Sequence, residues 1–226
     1  MTEPALYRWP ANAAFGRKVP KAKFYDHGTV RSALRERFVA DIQHITWAYK
    51  LADSTIHLHG SVAVPEIQVF TIETKGNDVS DDLLAAIDRS VHFPVIFEIV
   101  SGESIRTVAA PKSLAGRSPR VGAYFTSEWF PTAAPRRPLP AVLDLPNLYE
   151  AILTSLLPMR RRAGETVLDA AERLERIGRR QREIAALEKK LQDERQLNRK
   201  IEIRRQIKEV SAALAQLTDP APSKEE

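Results

Sequence analysis

The fold of this chain is decided by a strand–helix–strand stretch that opens with Glu66-Ile-Gln-Val-Phe-Thr-Ile-Glu73. This segment is rich in β-branched and aromatic residues, which favour an extended strand. Acidic residues at 78–82 precede apolar residues at helical spacing, so we expect a helix over residues 80–91. The near-continuous apolar run from Pro94 to Val100 is typical of a buried strand. A helix that connects two such strands predicts a mixed α/β domain.

The elements that flank this stretch are predicted by the same rules of periodicity and turn chemistry. They are a helix over 29–43, a tight hairpin of strands 45–51 and 55–58, strands over 105–110 and 121–130, an irregular proline-rich connection over 131–146, and a helix over 148–157. Together they predict an α/β domain over residues 29–158, whose mixed sheet with crossing helices is compatible with a restriction-endonuclease-like scaffold.

The first 28 residues interleave basic and aromatic side chains and predict an extended arm with a short turn. The basic residues are Arg8, Arg17, Lys18, Lys21 and Lys23, and the aromatic ones are Tyr7, Trp9, Phe15, Phe24 and Tyr25. Such an arm could lie on a phosphate backbone and stack on bases. Alternatively, the aromatic rings pin the arm to the domain while the charges stay solvated.

Residues 164–217 form a long polar region with two apolar seams at alternating spacings of three and four. The seams do not share one heptad frame, so the stretch from Gln192 to Lys200 is either a stutter or a turn. A turn predicts a helical hairpin, and a stutter predicts one continuous helix that pairs with a second chain. Residues 159–217 hold 16 Lys/Arg against 10 Asp/Glu, which favours a polyanion or an acidic protein as partner. We expect a short disordered acidic tail over 218–226.

The composition excludes several classes of function. The 226 residues include no cysteine, which excludes a disulfide framework, a thiolate zinc site, an iron–sulfur cluster and a cysteine nucleophile. The apolar runs fall far short of the roughly 20 residues that a membrane-spanning helix needs. The N-terminus lacks the apolar stretch of a secretory signal, so we expect a cytoplasmic protein.

Three segments resemble an uncharacterised bacterial family. They are the strand Glu66-Ile-Gln-Val-Phe-Thr-Ile-Glu-Thr-Lys75, the helix–strand segment Leu84-Ala-Ala-Ile-Asp-Arg-Ser-Val-His-Phe-Pro-Val-Ile-Phe97, and the tail Leu187-Glu-Lys-Lys-Leu-Gln-Asp-Glu-Arg-Gln-Leu-Asn-Arg-Lys200. In order and spacing they are similar to the family called domain of unknown function 4391. Members of that family are often encoded beside restriction-type helicases and DNA methyltransferases. The resemblance therefore implies an accessory role in DNA restriction or phage defence, and it supplies no catalytic residue.

A metal-dependent nuclease is the sharpest catalytic hypothesis that the sequence offers. Asp53 follows a strand and precedes Glu73-Thr74-Lys75, in the order Asp, gap, Glu-x-Lys. Asp53 and Glu73 would hold Mg²⁺, and Lys75 would offset charge on the phosphate or orient the attacking water. The alternative is that the three residues are solvent-facing partners in salt bridges or belong to a degenerate nuclease-like scaffold, because about one acid-x-Lys triplet is expected by chance in this composition.

Five arginines are candidate phosphate contacts, and three histidines are weaker candidates for a metal. The arginines are Arg136 and Arg137 in the connection and Arg160, Arg161 and Arg162 after Pro158. His57 and His59 alternate on the expected short strand, with His44 nearby in sequence, but they lack a strong third zinc ligand. Solvated surface positions are the alternative for both sets, and for the histidines a surface strand is the commoner case. No serine lies in a nucleophile elbow and no glycine cluster forms a phosphate loop.

These observations favour an accessory, non-catalytic subunit of a bacterial DNA restriction or phage-defence system. It would dock a helicase or DNA methyltransferase through its C-terminal helices, contact DNA non-specifically and need no cofactor. A nuclease that uses Mg²⁺ is the first alternative. A coiled-coil dimerisation module that does not bind DNA is the second.

Overall fold

A computed structural model gives the structure of residues 5–25, 32–76, 78–114 and 119–218. The chain divides into two compact units, Met1–Pro158 and Met159–Glu226. Among the described residues, no helix combines the length and the apolar character needed to cross a membrane.

The first unit is a mixed α/β domain. Its strands are β1 (Ala14–Lys18), β2 (Ile42–Leu51), β3 (Ile67–Thr74), β4 (Val95–Ser101), β5 (Ser104–Ala109), β6 (Lys112–Ser113), β7 (Arg120–Val121), β8 (Phe125–Thr126) and β9 (Phe130–Pro131). Its helices are α1 (Ser32–Asp41), the one-turn α2 (Asp53–Ile56), α3 (Asp81–Ser90) and α4 (Leu145–Leu156), and two 3₁₀ turns cover Ala11–Ala13 and Lys21–Phe24.

Seven of these strands form one mixed sheet in the order β1-β2-β3-β4-β5-β8, and β9 pairs with the other end of β5. Strands β3 and β4 are parallel, with α3 between them in the chain, and the other neighbours are antiparallel. Strands β6 and β7 form a separate pair. The parallel crossover is the strand–helix–strand unit that the sequence predicts, and it occupies the centre of the sheet.

The two faces of the sheet are covered by different parts of the chain because successive side chains on a strand point to opposite faces. On one face, Phe70 and Phe97 belong to a core that includes Phe38 of α1 and Leu83 and Leu84 of α3. On the other face, Trp9 donates from its indole nitrogen to the buried Glu98, and the Thr107 hydroxyl donates to the carbonyl of Ala5. The N-terminal segment therefore packs on the sheet.

The second unit contains two long helices that pack together as a hairpin. Helix α5 (Val167–Asp193) begins with a capping box in which Thr166 and Asp169 bond to each other's main-chain nitrogen. Three residues separate it from α6 (Leu197–Thr218), so the stretch from Gln192 to Lys200 contains a turn. With 1.5 Å per residue, α5 is about 40 Å long.

The expected fold class is confirmed: a mixed sheet with helices, followed by a helical hairpin. Two local predictions are wrong. The predicted second strand of the tight hairpin is the helical turn α2 followed by a loop, so β2 pairs with β3 instead. The predicted strand over 121–130 is three two-residue strands. The extended N-terminal arm goes further than the prediction, because it contributes the edge strand β1. The first residues of the predicted 29–43 helix and most of the predicted acidic tail lie outside the described residues.

Candidate functional site

The three residues of the nuclease hypothesis lie at two different ends of the sheet. Strands β2 and β3 are antiparallel, with Leu51 opposite Ile67 and Ile42 opposite Thr74. Asp53 follows the end of β2 and is therefore near the start of β3, whereas Glu73 is near its end. Six residues of strand separate these ends, about 20 Å. Because Ca²⁺ or Mg²⁺ ligands lie within about 2.0–2.6 Å of the ion, Asp53 and Glu73 cannot share one metal.

Each of these residues has a local role that does not depend on a metal. Asp53 is the first residue of α2, and its Oδ2 lies 2.9 Å from Nδ1 of His59. The ammonium group of Lys75 donates to the carbonyl of Val39, 2.7 Å away, in the last turn of α1. Glu73 is half-buried and pairs across the strands with the exposed His44. Glu73 and Lys75 thus lie at the same end of β3, and Asp53 lies at the other end.

The histidines do not form a metal site. His57 ends α2 with a left-handed φ of 55°, and His59 lies in a loop whose main chain bridges to Asp144, so the two do not alternate on a strand. His44 is at the far end of β2. Within the described ranges, no group of three His, Asp or Glu residues could hold a metal ion.

Arg136 and Arg137 hold the N-terminal segment on the sheet. Arg136 contacts both carboxylate oxygens of Glu98, at 2.5 and 3.2 Å, and donates to the carbonyl of Tyr7. The guanidinium of Arg137 lies 4.4 Å from the centre of the Tyr7 ring and donates to its hydroxyl. Glu98 is 4% exposed, and a buried carboxylate needs such partners. Both arginines therefore serve the fold.

The same segment borders an open cleft of about 720 Å³ whose walls are mainly apolar. It is lined by Tyr7, Pro135, Arg136, Arg137, Pro138, Leu139, Pro140, Ala151, Thr154 and Ser155. The Ser155 hydroxyl accepts from Tyr7 and donates to the carbonyl of Ile152, and neither histidine nor carboxylate is among the lining residues. Without a base to activate it, Ser155 is not arranged as a nucleophile.

Arg161 and Arg162 point into the open end of the hairpin, where α5 begins and α6 ends. Arg162 donates to the carbonyls of Gln216 and Leu217, which lack partners within α6. Arg161 donates to the carbonyl of Glu165 at 3.2 Å. The Arg160 side chain is exposed. Of the three predicted phosphate contacts in this run, only Arg160 presents its charge mainly to solvent.

A buried ion pair reinforces the open end of the hairpin. Arg173 donates to both oxygens of Glu165, at 2.6 and 2.8 Å, and to the carbonyls of Leu217 and Arg160. Hydrogen bonds from Arg173 are the main cause that lowers the pKa of Glu165 to about 2. A cation at the C-terminus of α6 also complements the helix dipole.

A buried network in the α/β unit was not predicted. The ammonium group of Lys112 contacts Oδ1 and the carbonyl of Asp88 and the carbonyls of Val91 and Phe93, at 2.5–2.9 Å. Tyr124 donates to the other carboxylate oxygen of Asp88. Burial raises the pKa of Asp88 and lowers that of Lys112. Lys112 binds the carbonyl of Asp88 in the last turn of α3 and two carbonyls just after it, so the network stabilises the end of that helix. Sequence periodicity does not indicate the pair, because 24 residues separate Asp88 from Lys112.

The turn end of the hairpin carries a dense set of cations. Residues 176–208 hold 12 Lys/Arg and 5 Asp/Glu, a net charge of +7. Arg180 and Arg205 pair with glutamates of their own helices at 2.8 Å. The side chains of Arg179, Arg182, Lys189, Lys190, Arg204 and Lys208 are all exposed. These six cations are more candidate phosphate contacts than the five arginines that the sequence suggests.

The apolar seam of the hairpin is only partly covered. Ile203 is the one residue of α6 that is fully buried, while Ile207, Val210 and Leu214 are half-buried. Leu197 and Ile201 are four residues apart at the start of α6, next to the connection between the two helices, and they are 69% and 57% exposed. Two helices alone therefore leave apolar surface for a further element.

The comparisons with known proteins identify a family. No curated protein and no solved structure gives a significant match to the chain. The family model described as Domain of unknown function (DUF4391) matches residues 8–214. Because this match covers most of the chain, the protein belongs to the DUF4391 family.

Proposed function

We propose that this chain is an accessory, non-catalytic subunit of a bacterial DNA restriction or phage-defence system. It docks the enzyme of that system, a helicase or a DNA methyltransferase, through the turn end of its hairpin and contacts DNA non-specifically through the cations there. The observation that carries the proposal is the partly covered seam of α5 and α6 within a surface of net charge +7.

The exposed apolar pair is the feature that favours a protein partner. Leu197 and Ile201 occupy adjacent turns of one helix, which is the spacing of a helix that packs into a groove. Arg195, Arg199 and Lys200 flank the pair, so a partner surface with acidic residues around an apolar groove is complementary. A second copy of this hairpin would instead oppose like charges, which disfavours the dimerisation alternative.

The cations support non-specific contact with DNA because phosphate contacts carry no sequence information. The neighbourhood of helicases and methyltransferases that the family resemblance implies gives the biological setting. The nuclease alternative loses its support, since Asp53 and Glu73 lie about 20 Å apart along the sheet.

The test is co-purification of the tagged full-length chain from its native host, with partners identified by mass spectrometry. The double variant Leu197→Ser, Ile201→Ser should reduce recovery of the helicase or methyltransferase at least tenfold. The matched control is Val62→Ser, Leu143→Ser, which changes two residues of the α/β unit that are 96% and 89% exposed.

Three outcomes overturn the docking proposal. They are absence of both enzymes from the wild-type sample, equal recovery with the double variant, and equal loss with the control. A purified wild-type dimer that the double variant converts to a monomer would favour the dimerisation module.

A further inference from the structure

Residues 5–25 carry a strip of positive charge along the edge of the sheet. Residues 5–25 contain five Lys/Arg and no Asp or Glu. Four of the cations, Arg17, Lys18, Lys21 and Lys23, follow one another along β1 and the second 3₁₀ turn. All five residues of β1 are exposed, and β1 is the first strand of the sheet, so only one of its sides pairs with another strand.

An exposed aromatic ring stands in the middle of this strip. Phe15 is 43% exposed, and its ring centre lies 4.1 Å from that of Trp47. Trp47 stacks in turn on the buried Phe70, with ring centres 6.1 Å apart and 12° between the planes. The indole nitrogen of Trp47 donates to the carbonyl of Tyr49. The exposed ring is therefore backed by a fixed stack that reaches the core.

The backbone beside Phe15 is open to a ligand. Between Ala14 and Arg17 the register with β2 shifts, so β1 contains a bulge. Gly16 adopts a φ of 63° in this bulge, and apart from its two chain neighbours no residue of the described structure has an atom within 4 Å of the position that its Cβ would take. A short bulged strand is a poor template for adding a peptide strand, because the bulge interrupts the ladder of hydrogen bonds.

A small basic pocket continues from the strip. It has a volume of about 230 Å³ and is lined by Lys18, Val19, Pro20, Lys21, Gln43, His44 and Ile45. Lys21 donates to the carbonyl of Ile42, and burial, with the charge of Lys75, lowers the pKa of Lys21. A phosphate group in this pocket would offset the repulsion between the two ammonium groups.

From this arrangement we infer that the β1 edge binds single-stranded nucleic acid, with an unpaired base stacked on Phe15 and phosphates held by Arg17, Lys18, Lys21 and Lys23. The inference rests on the proposed function for its setting, and it adds the class of nucleic acid. A stacking ring needs an unpaired base, because the faces of paired bases are covered by their neighbours in the duplex. The cations would bind the phosphates of either a single strand or a duplex. The exposed ring of Phe15 would favour the single strand, because only an unpaired base can stack on it.

The test is fluorescence anisotropy of the purified full-length chain with labelled oligo-dT, oligo-rU, a duplex of equal length, and a poly-glutamate peptide. Measurements at 200 mM salt reduce the purely electrostatic binding of other basic surfaces. The single strands should bind more tightly than the duplex and the peptide. The two oligonucleotides separate a DNA from an RNA ligand.

Variants of Phe15 distinguish stacking from general attraction. Phe15→Leu should weaken single-strand binding by roughly 5- to 150-fold, the range for one lost base stack, and Phe15→Trp should retain it. Trp129→Leu is the matched control, because Trp129 is an aromatic residue 39% exposed elsewhere in the same unit. Unchanged melting curves by circular dichroism establish that each variant is folded.

The inference is overturned if Phe15→Leu binds as the wild type does, if Trp129→Leu loses as much, or if the duplex or the peptide binds more tightly than the single strands. Partner recovery with Phe15→Leu separates the two proposals. If the helicase or methyltransferase is still recovered while the wild-type chain does not bind the single strands, only the proposed site on the β1 edge is wrong. If neither enzyme is recovered while the wild-type chain binds the single strands, only the proposed docking of the enzyme is wrong.

Discussion

Lys75 donates a hydrogen bond of 2.7 Å to the main-chain carbonyl of Val39, in the last turn of α1. Lys112 does the same for the carbonyl of Asp88 in the last turn of α3, and Arg162 and Arg173 do so for the carbonyl of Leu217 in α6. The last carbonyls of a helix lack partners and carry partial negative charge. Several cations of this chain thus stabilise helix ends, and a basic residue here is not by itself a ligand contact.

The first prediction concerns Lys75. Lys75→Met should lower the free energy of unfolding by about 0.3–1 kcal/mol, the usual contribution of a cation near a helix C-terminus. Urea unfolding followed by tryptophan fluorescence is the measurement, since all three tryptophans lie in residues 1–158. Plasmid cleavage with Mg²⁺ or Mn²⁺ is the companion assay. Cleavage by the wild type that Glu73→Ala and Lys75→Met both abolish would restore the nuclease hypothesis.

The second prediction concerns the buried pair of Asp88 and Lys112. Lys112→Met should cost roughly 3–5 kcal/mol, because it leaves the Asp88 carboxylate buried without its cation. The double variant Lys112→Met, Asp88→Asn should cost clearly less than the single variant, because no unpaired charge remains. The same fluorescence assay measures both. A double variant that is less stable than Lys112→Met would contradict this account of the pair.

The third prediction is a pH dependence at the open end of the hairpin. The pKa of Glu165 is about 2 in the folded chain and near its ordinary value of 4.5 when unfolded. A lowered carboxylate pKa contributes stability above the unfolded value, and this contribution is lost as the pH falls from about 4.5 to 2. Thermal melts by circular dichroism at 222 nm should show this loss. Glu165→Gln should be less stable at pH 7 and lose less on acidification, whereas the exposed Glu172→Gln should behave as the wild type.

The sequence predicts the centre of this fold better than its edge. Strands β3 and β4 are apolar enough to be recognised from composition alone, because each is buried on both faces. The edge strand β1 has no apolar alternation, and it exists because it pairs with β2. Such pairing depends on residues about thirty positions away, which local propensity does not contain.

The relative positions of the predicted nuclease residues also depend on strand pairing between distant parts of the chain. The predicted tight hairpin after Leu51 does not determine the distance between Asp53 and Glu73. In the antiparallel pairing of β2 with β3, a residue that follows β2 lies one strand length from the end of β3. The pair of Asp88 and Lys112 is separated by 24 residues, and only the packing of β6 against the end of α3 brings the two side chains together.

The last prediction separates arginines that hold the fold from cations that face solvent. Arg136→Ala should lower stability strongly, because Glu98 is buried and loses its main partner, and it should leave the salt dependence of duplex binding unchanged. Arg182→Ala with Lys190→Ala should leave the melting temperature within about 2 °C, since exposed charges contribute little to stability. If both contact phosphates, the slope of log affinity against log salt should become shallower by about 1.8, at 0.9 for each lost contact. Anisotropy titrations from 50 to 200 mM salt measure the slope. A shallower slope for Arg136→Ala, together with an unchanged slope for the variant of Arg182 and Lys190, would indicate that the α/β unit contacts the DNA instead.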